Sequence, residues 1–450
     1  MTHIFHRNPA LTLPVAVRGE GCYLIDAQGR RYFDGSGGAA VSCLGHAHPR
    51  VIAAMKQQME TLEYAHTSFF SSEPAEQLAS LLAEHSPANL GNVYFLSGGS
   101  EAMETALKMA RQYHVENGQP QRDHFISRRQ SYHGNTLGAL AIGGNLPRRK
   151  LYEPLLMQTT QVAPCFAFRY RLAGETDADY VERLGQELED SLLELGPQRV
   201  AAFVAETVVG ATSGAVAPVP GYLARMRDIC DRHGVLLILD EVMCGIGRTG
   251  TYHAFEQENV VPDLLVLAKG LGGGFQPIGA VMASDRVVQT ISAGSGSFQH
   301  GHTYVGHPLA CAAALAVQEE IIGQDLCAKV RSSGELLGRL LDERFANHPN
   351  VADIRGRGLF RAIELVQDRD GNQPFAPQLR LHAKIKQTAQ DLGLLCYPGG
   401  GTIDGINGDH VLLAPPYNST PEQLAFAADT LAVALDECLD TRPFQQQKKA

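Results

Sequence analysis

The stretch GVLLILDEVMCGIGRTGTYHAFEQENVVPDLLVLAKGLGGG, residues 234–274, holds two short apolar runs that lead into charged residues. The first run ends at Asp240, and the second ends just before Lys269, which is followed closely by four glycines. Short apolar runs bounded by turn signals are typical of buried strands in a parallel sheet. Because ligands bind at the carboxyl ends of such strands, the stretch predicts a carboxylate and an amine at one sheet edge.

Lys269 lies in an apolar context, where an unpaired ammonium group is costly to bury. Burial lowers the pKa of a lysine amine, and the neutral amine attacks carbonyl groups. Pyridoxal phosphate is the aldehyde that proteins most often hold in this way, and its ring nitrogen needs an acidic partner such as Asp240. A structural ion pair between the two residues explains the same pattern, so this stretch alone leaves both interpretations open.

Composition limits the classes of protein that the chain could represent. Its 450 residues, 44% of them hydrophobic, predict a large core and two or three domains. A net charge of −10 argues against a nucleic-acid or anionic membrane surface. Nine cysteines without a C-x-x-C pair are typical of reduced thiols. The sequence contains neither a signal-peptide pattern nor a membrane-spanning apolar run, so we expect a soluble, cytoplasmic protein.

Strand-like and helix-like segments alternate from about residue 90 to residue 310. This alternation predicts an α/β fold with a large, doubly wound domain around a mainly parallel sheet, which we place at residues 51–315. A predicted β-hairpin near residues 23–33 and a strand-turn-strand unit at residues 351–365 lie outside it. We expect residues 1–50 and 316–450 to form a smaller α+β lobe from both termini.

Three further motifs allow a functional and a structural interpretation. The Gly/Ser turn at residues 97–100 precedes a helical pattern, which predicts either an anion site at a helix N-terminus or a simple helix cap. Tyr132, near a strand end, could stack on a planar cofactor or belong to the core. The spacing of His300, His302 and His307 fits no common zinc pattern, so we expect no metal site.

Seven motifs occur in a characteristic order: SGGSEAMETALKMAR, SYHG, AETVVG, LDEVMCGIGRTG, LAKGLGGG, HGHTYVGHPLACAAALA and LLAPPY. Together they make nearly the whole chain resemble the class III pyridoxal-phosphate aminotransferases of fold type I. Within that family the chain is most similar to the ω-amino acid or amine:pyruvate group. The resemblance implies pyridoxal 5'-phosphate as cofactor and a homodimer with active sites at the subunit interface.

The resemblance also implies a role for each matching residue. Lys269 would hold the cofactor covalently and move the proton, and Asp240 would pair with the pyridine nitrogen. The other residues implied to lie at the cofactor are Gly99, Ser100, Tyr132, His133, Glu206, Val242 and Thr303. Among them, Tyr132 and Val242 would pack on the two ring faces, and Gly99 and Ser100 would bind the phosphate. Thr303 would bind the same phosphate from the partner subunit.

Departures from the family pattern bear on the substrate. Relatives that use 2-oxoglutarate usually carry an Arg just before the double proline, where this chain has Leu412. Ala211 stands where enzymes with a gated arginine carry a Glu, and residues 404–408 contain no Arg. Arg361 is either a substitute partner for a substrate carboxylate or a surface residue. We therefore expect transfer of an amino group from a primary amine or ω-amino acid to a small keto acid, pyruvate in particular.

Two alternatives stay open at this point. Racemases, epimerases, aminomutases and decarboxylases of the same fold share the cofactor residues, and no single residue separates them from aminotransferases. A nucleotide-binding or structural α/β protein is a more distant alternative, because the chain contains neither a G-x-G-x-x-G motif after its first strand nor a P-loop.

Overall fold

The computed structural model describes residues 2–439, so residues 440–450 of the predicted smaller lobe, including Lys448 and Lys449, lie outside the described residues. The strands are β1 Ala16–Glu20, β2 Tyr23–Asp26, β3 Arg31–Phe33, β4 Asn92–Leu96, β5 His124–Arg128, β6 Thr160–Val162, β7 Val200–Glu206, β8 Leu236–Asp240, β9 Leu264–Leu267, β10 Gly279–Ala283, β11 Val351–Arg357, β12 Phe360–Leu365, β13 Tyr397–Gly400 and β14 Asp409–Leu413. The helices are α1 Gly37–Ala40, α2 Pro49–Thr61, α3 Glu73–Glu84, α4 Gly99–Glu116, α5 Leu137–Ile142, α6 Leu146–Arg149, α7 Ala167–Tyr170, α8 Asp177–Leu195, α9 Tyr222–His233, α10 Asp285–Ala293, α11 Pro308–Gly323, α12 Leu326–Phe345, α13 Leu381–Asp391 and α14 Pro421–Leu439.

The central sheet has seven strands in the order β4-β10-β9-β8-β7-β5-β6. β10 runs antiparallel to both of its neighbours, and the pairs from β9 to β6 are parallel. Every residue of β7, β8, β9 and β10 is buried. The prediction of an α/β fold around a mainly parallel sheet is therefore confirmed.

Alternate residues of the central strands pack into two separate hydrophobic clusters. Leu236 and Ile238 of β8 lie in the cluster that contains α4, whereas Leu237 and Leu239 lie in the cluster on the other face. This arrangement follows from the strand geometry, in which successive side chains point to opposite faces. Both faces are apolar, which explains why these strands read as continuous apolar runs and not as alternating ones.

Two smaller antiparallel sheets, β1-β2-β3 and β11-β12-β14-β13, contain the strands from the two ends of the chain. The N–H of Phe33 in β3 donates to the carbonyl of Gly393 at 2.8 Å, and the N–H of Leu395 donates to the carbonyl of Phe33 at 2.9 Å. Such contacts are expected of a lobe that both termini build. The boundaries at residues 1–50, 51–315 and 316–450 stay a prediction.

A buried ion network fastens the C-terminal sheet to the loop after β7. Arg355 and Arg169 both pair with Glu364 of β12, each at 2.6 Å. Arg355 also donates to the carbonyl of Gly214 at 2.6 Å. Because Glu364 is fully buried, loss of either arginine would weaken the compensation of its charge. The network therefore holds the loop that follows Glu206 in place.

Several individual elements agree with the sequence prediction. The apolar run and Gly/Ser turn near residue 97 give β4 followed by α4, and the predicted β-hairpin near residues 23–33 and strand-turn-strand unit at residues 351–365 match β2–β3 and β11–β12. Within residues 2–439, no helix has both the length and the apolar character that crossing a membrane requires.

Candidate active site

Three neighbouring parallel strands bring three charged side chains to one sheet edge. Glu206 ends β7 and Asp240 ends β8, and the two residues are direct partners in the strand register. Lys269 lies two residues beyond the end of β9, which pairs with β8. All three side chains line one cavity of about 490 Å³. The structure thus places the amine and both carboxylates where the strand-end argument expects a ligand.

Lys269 lies at the floor of this cavity with an unusual backbone conformation. Its φ angle is 49°, in the left-handed region, and it opens a short 3₁₀ turn, Lys269–Leu271. A non-glycine residue pays about 1 to 2 kcal/mol for this conformation, and such strain concentrates at functional sites. Burial lowers the pKa of the Lys269 amine to about 8, although Asp240 and Glu206 act in the opposite direction. At pH 7 about a tenth of the amine is therefore neutral, far more than at the ordinary lysine pKa of about 10.4.

Both carboxylate oxygens of Asp240 have hydrogen-bond donors. His133 Nδ1 lies 2.9 Å from Oδ2, and the N–H of Val242 donates to Oδ1 at 3.0 Å. Asp240 and His133 are buried, and within residues 2–439 no partner is found for His133 Nε2. These two contacts fix the orientation of the carboxylate. The structure therefore presents a buried carboxylate with one defined direction.

Glu206 fixes the backbone of Tyr132. Its carboxylate accepts hydrogen bonds from the N–H groups of Tyr132 and Gly210, both at 3.2 Å. Burial raises the pKa of Glu206, and the charge of Asp240 adds to that effect. Tyr132 and Val242 also line the cavity. Glu206 therefore contributes both a charge near Lys269 and the placement of the Tyr132 ring.

The N-terminus of α4 forms another part of the cavity wall. The helix starts at Gly99 after the N-cap residue Gly98, and no side chain caps it. The interpretation of this turn as a simple serine cap is therefore wrong: Ser100 lies inside the helix, and its Oγ accepts the N–H of Asn135 at 3.0 Å. A Cβ atom at Gly99 would lie 3.0 Å from Val242 Cγ1. The free N–H groups and the small residues suit an anion such as a phosphate.

Thr303 does not line the cavity of its own chain. It is exposed, and its carbonyl accepts a hydrogen bond from the hydroxyl of Tyr64 at 3.0 Å. The nearby His300 contacts Thr105 Oγ1 at 2.8 Å. In the part of the chain that the structure describes, no cluster of three His, Cys, Asp or Glu residues is placed to hold a metal ion.

The residues singled out for substrate specificity lie in different places. Ala211 lines the cavity, whereas Leu412 is fully buried behind its wall, in the apolar cluster that also contains the cavity-lining Val208 and Met243. Arg361 lies beside Gly338 of α12, where burial lowers its pKa, and its Nε donates to the carbonyl of Gly358 at 3.1 Å. It does not line the cavity. Arg361 is thus a partly buried packing residue, neither an exposed surface group nor a partner for a substrate carboxylate.

The sequence interpretation missed Arg7, Arg148 and Tyr397, which line the cavity together with the predicted residues. No spacing pattern marks Arg7 or Tyr397. The short basic run RRK at residues 148–150 is the one signal that could have drawn attention to Arg148. Its significance depends on the fold, because basic residues in short polar segments are ordinarily solvated.

The sequence is similar to those of known aminotransferases. The model of the family described as aminotransferase class-III matches residues 4–435. The chain is 46% identical over 442 residues to an uncharacterized aminotransferase of Schizosaccharomyces pombe, covering 98% of this chain and 96% of that protein. It is 40% identical over 404 residues to the uncharacterized aminotransferase YodT of Bacillus subtilis, covering 90% of each.

Solved structures give the same result. A thermostable (S)-enantioselective omega-transaminase from Thermomicrobium roseum superposes with a TM-score of 0.90 at 34% identity, covering 97% of this chain and 96% of that one. The omega transaminase from Pseudomonas jessenii in complex with PMP gives a TM-score of 0.90 at 32% identity, covering 96% of each chain.

These similarities confirm the predicted fold type I architecture and exclude the alternative of a non-enzymatic nucleotide-binding protein. The buried amine, the oriented Asp240 and the open N-terminus of α4 also fit the aldehyde, ring nitrogen and phosphate of pyridoxal phosphate. Since the family model spans nearly the whole chain, the protein belongs to the class III aminotransferases and is an enzyme that uses pyridoxal phosphate to transfer amino groups between an amine donor and a keto acid.

Proposed function

We propose that this aminotransferase moves an amino group from a primary amine or ω-amino acid to pyruvate or a similar small monocarboxylic keto acid. The observation that carries the proposal is the meeting of Lys269, Asp240 and Glu206 at the carboxyl ends of three adjacent strands. When bound there, the cofactor supplies an electron-withdrawing ring that acidifies the carbon next to the substrate nitrogen. The protein must then hold that ring and move one proton.

We assign the proton transfer to Lys269. Its amine has a pKa lowered to about 8, so it can both accept and release a proton near neutral pH. We assign Asp240 to the pyridine nitrogen, because its oxygens are oriented by His133 and Val242. A buried carboxylate in a fixed direction stabilises a protonated ring nitrogen without reorganisation.

The remaining cofactor contacts follow from the cavity wall. Tyr132 and Val242 supply apolar surface for the two ring faces. Gly99 and Ser100 offer the open N-terminus of α4 to the phosphate. Glu206 supports this arrangement through its hydrogen bond to the backbone of Tyr132.

We also propose that the protein acts as a homodimer in which Thr303 of one subunit reaches the phosphate site of the other. Thr303 is exposed and lies outside the cavity of its own chain. Large apolar side chains are exposed in the same region, including Phe69, Phe70 and Tyr304. Tyr304 contacts Tyr64, whose hydroxyl holds Thr303, with ring centroids 5.8 Å apart. An exposed aromatic group of this kind is typical of a protein interface.

The preference for a monocarboxylic acceptor is supported by the sheet strands beside the cavity. β12 and β14 present no arginine to it, because Arg361 packs against α12, and the position before the double proline is the apolar Leu412, buried behind the cavity wall. Several apolar side chains line the cavity, among them Val208, Ala211 and Met243. A distal carboxylate placed against such groups would be desolvated without a partner.

The test is a panel of primary amines and ω-amino acids, each offered with pyruvate and with 2-oxoglutarate, with the amino acid product quantified. We expect kcat/KM for pyruvate to exceed that for 2-oxoglutarate by at least about tenfold, which corresponds to about 1.4 kcal/mol. Equal or better use of 2-oxoglutarate would refute the acceptor assignment. Racemised or decarboxylated amino acid without keto product would instead indicate one of the related activities of the fold.

A further inference from the structure

We infer that Arg148 binds the carboxylate of the keto acid acceptor, and of any donor that carries a carboxylate, at the rim of the active-site cavity. The inference rests on the proposed function and identifies the residue that would recognise the substrate carboxylate. Arg148 belongs to the short helix α6 and is exposed at the surface, and its side chain lines the same cavity as Lys269 and Tyr132. A cation at this place is unexplained by the cofactor contacts assigned above.

The guanidinium group of Arg148 is held by an aromatic face and not by an anion. Its central carbon lies 4.7 Å from the centroid of the Tyr132 ring. Within residues 2–439 no hydrogen bond or ion pair to the Arg148 side chain is found. Stacking uses the flat face of a guanidinium group, whereas its five N–H donors lie in the plane of that group. The donors therefore stay available for a carboxylate, which can bind two of them at once.

The short helix that carries Arg148 is fixed by contacts from a distant part of the chain. Asn145, just before α6, donates through Nδ2 to Gln130 Oε1 at 3.2 Å. Gln130 Nε2 in turn donates to the carbonyls of Gly401 at 2.6 Å and Thr402 at 3.2 Å. These buried bonds tie α6 to the loop between β13 and β14. The backbone around Arg148 is thus held by these hydrogen bonds, even though the Arg148 side chain is exposed.

A second contact from the same loop limits where α6 can lie. Gly405 has φ +89°, and a Cβ atom there would come within 2.5 Å of Pro147 Cδ. The backbone of the loop therefore packs directly against the residue before Arg148. Such close packing leaves α6 little freedom to move outward from the cavity.

Other arginines near the site are already engaged. Arg149 donates to the carbonyl of Gly143 at 3.0 Å, and Arg128 donates to the carbonyl of Glu206. Arg361 donates to Gly358 on the far side of the C-terminal sheet. Arg7 also lines the cavity, but it precedes β1 and lacks the aromatic support that Arg148 has. These differences favour Arg148 over the other candidates.

The decisive experiment uses the holoenzyme and measures its two half-reactions separately. In Arg148→Met we expect KM for pyruvate to rise about 10- to 50-fold, the range for losing a charge-assisted hydrogen-bonded pair. The half-reaction with an amine that has no carboxylate, such as 1-phenylethylamine, should keep its KM. Arg148→Lys should recover part of the loss, because it restores the charge without the planar pair of donors.

Binding of propionate, an unreactive monocarboxylate, gives a readout that does not depend on turnover. Its Kd, measured by calorimetry, should rise by the same factor in Arg148→Met. The matched control is Lys150→Met, which removes one positive charge from an exposed residue two positions away that does not line the cavity. This variant should leave both KM and Kd near the parent values.

The possible outcomes separate the two proposals. Unchanged pyruvate KM and propionate Kd in Arg148→Met would overturn the assignment of Arg148. A loss in Arg7→Met with no loss in Arg148→Met would also overturn it and place the carboxylate at Arg7. If the parent enzyme transfers no amino group to pyruvate, the proposed function fails, while propionate binding still reports on Arg148.

Discussion

The floor and the rim of the active-site cavity are built in opposite ways. At the floor, the carboxylate of Asp240 is buried and both of its oxygens have donors from the protein. At the rim, the guanidinium group of Arg148 is exposed, and within residues 2–439 no anion pairs with it. A buried charged group needs hydrogen-bond partners from the protein, whereas an exposed one is solvated by water until a ligand binds. The floor therefore suits a permanent cofactor, and the rim suits a substrate that comes and goes.

The largest expected effect comes from removing the amine at the floor. Lys269→Ala should lower the rate of the half-reaction with a good amine donor by about 1,000-fold or more, since it removes the group that moves the proton. Single-turnover absorbance of the cofactor after mixing with the amine measures this rate. Lys150→Ala, which removes an exposed amine outside the cavity, is the control and should react like the parent. A Lys269→Ala enzyme that reacts near the parent rate would contradict the assignment.

Two adjacent carboxylates allow a sharper test of the floor. Asp240→Asn should keep the cofactor but lower kcat by about 100- to 1,000-fold, because a preorganised charge is lost. Glu241 next to it serves a different purpose: it accepts the N–H groups of Ala254 and Phe255, both at 2.7 Å, and the hydroxyl of Thr207 at 2.9 Å.

Glu241→Gln should therefore show the reverse pattern. An amide has only one accepting oxygen, so a buried donor loses its partner and the free energy of unfolding should fall by about 1 to 3 kcal/mol. Urea unfolding followed by circular dichroism measures this loss, and kcat of the folded variant should change little. If the two variants gave the same profile, the separate roles of the neighbouring carboxylates would be wrong.

The pKa of Lys269 predicts a pH dependence for loading the cofactor. Only the neutral amine attacks the aldehyde, and the pKa of this amine is lowered to about 8. The rate at which the apoprotein binds pyridoxal phosphate covalently should thus rise about tenfold per pH unit below 8 and level off above it. Stopped-flow absorbance between about pH 6 and 11 provides the measurement. A midpoint near the ordinary lysine value of about 10.4 would show that burial does not act on this amine.

The smallest effect is expected at Gly405, whose backbone packs against the residue before Arg148. Gly405→Ala should push Pro147 and so shift Arg148, raising KM for pyruvate about two- to fivefold, or roughly 0.4 to 1 kcal/mol, with kcat unchanged. Gly174→Ala is the matched control, because Gly174 has φ +86° but no atom within 4 Å of a Cβ placed there. Because the φ angles of Gly405 and Gly174 are nearly equal, an alanine at either position has a similarly unfavourable φ. An equal KM in the two variants would mean that the Gly405 contact does not position Arg148.

Much of the floor was predictable because its signals are local. A buried parallel strand is recognisable from its own residues, and Asp240 and Lys269 follow such strands directly. The helix α4 was recognisable in the same way, from its turn and its period. The alternative interpretation of this turn as a simple helix cap was wrong, because no side chain caps α4 and Ser100 instead accepts a hydrogen bond from Asn135 of a different segment. The local sequence pattern does not reveal a hydrogen-bond partner that comes from a distant segment of the chain.

By itself, the sequence determined the α/β architecture, the strand ends that carry Glu206, Asp240 and Lys269, and the family that these residues resemble. Only the tertiary structure decided which arginines line the cavity. Arg361 lies in a predicted strand-turn-strand unit and Arg148 in the basic run RRK, but neither pattern shows which side chain reaches the cavity. In the folded chain Arg361 packs beside Gly338, whereas Arg148 lies over the ring of Tyr132. A side chain's partner depends on contacts between distant segments, and these exist only once the chain has packed.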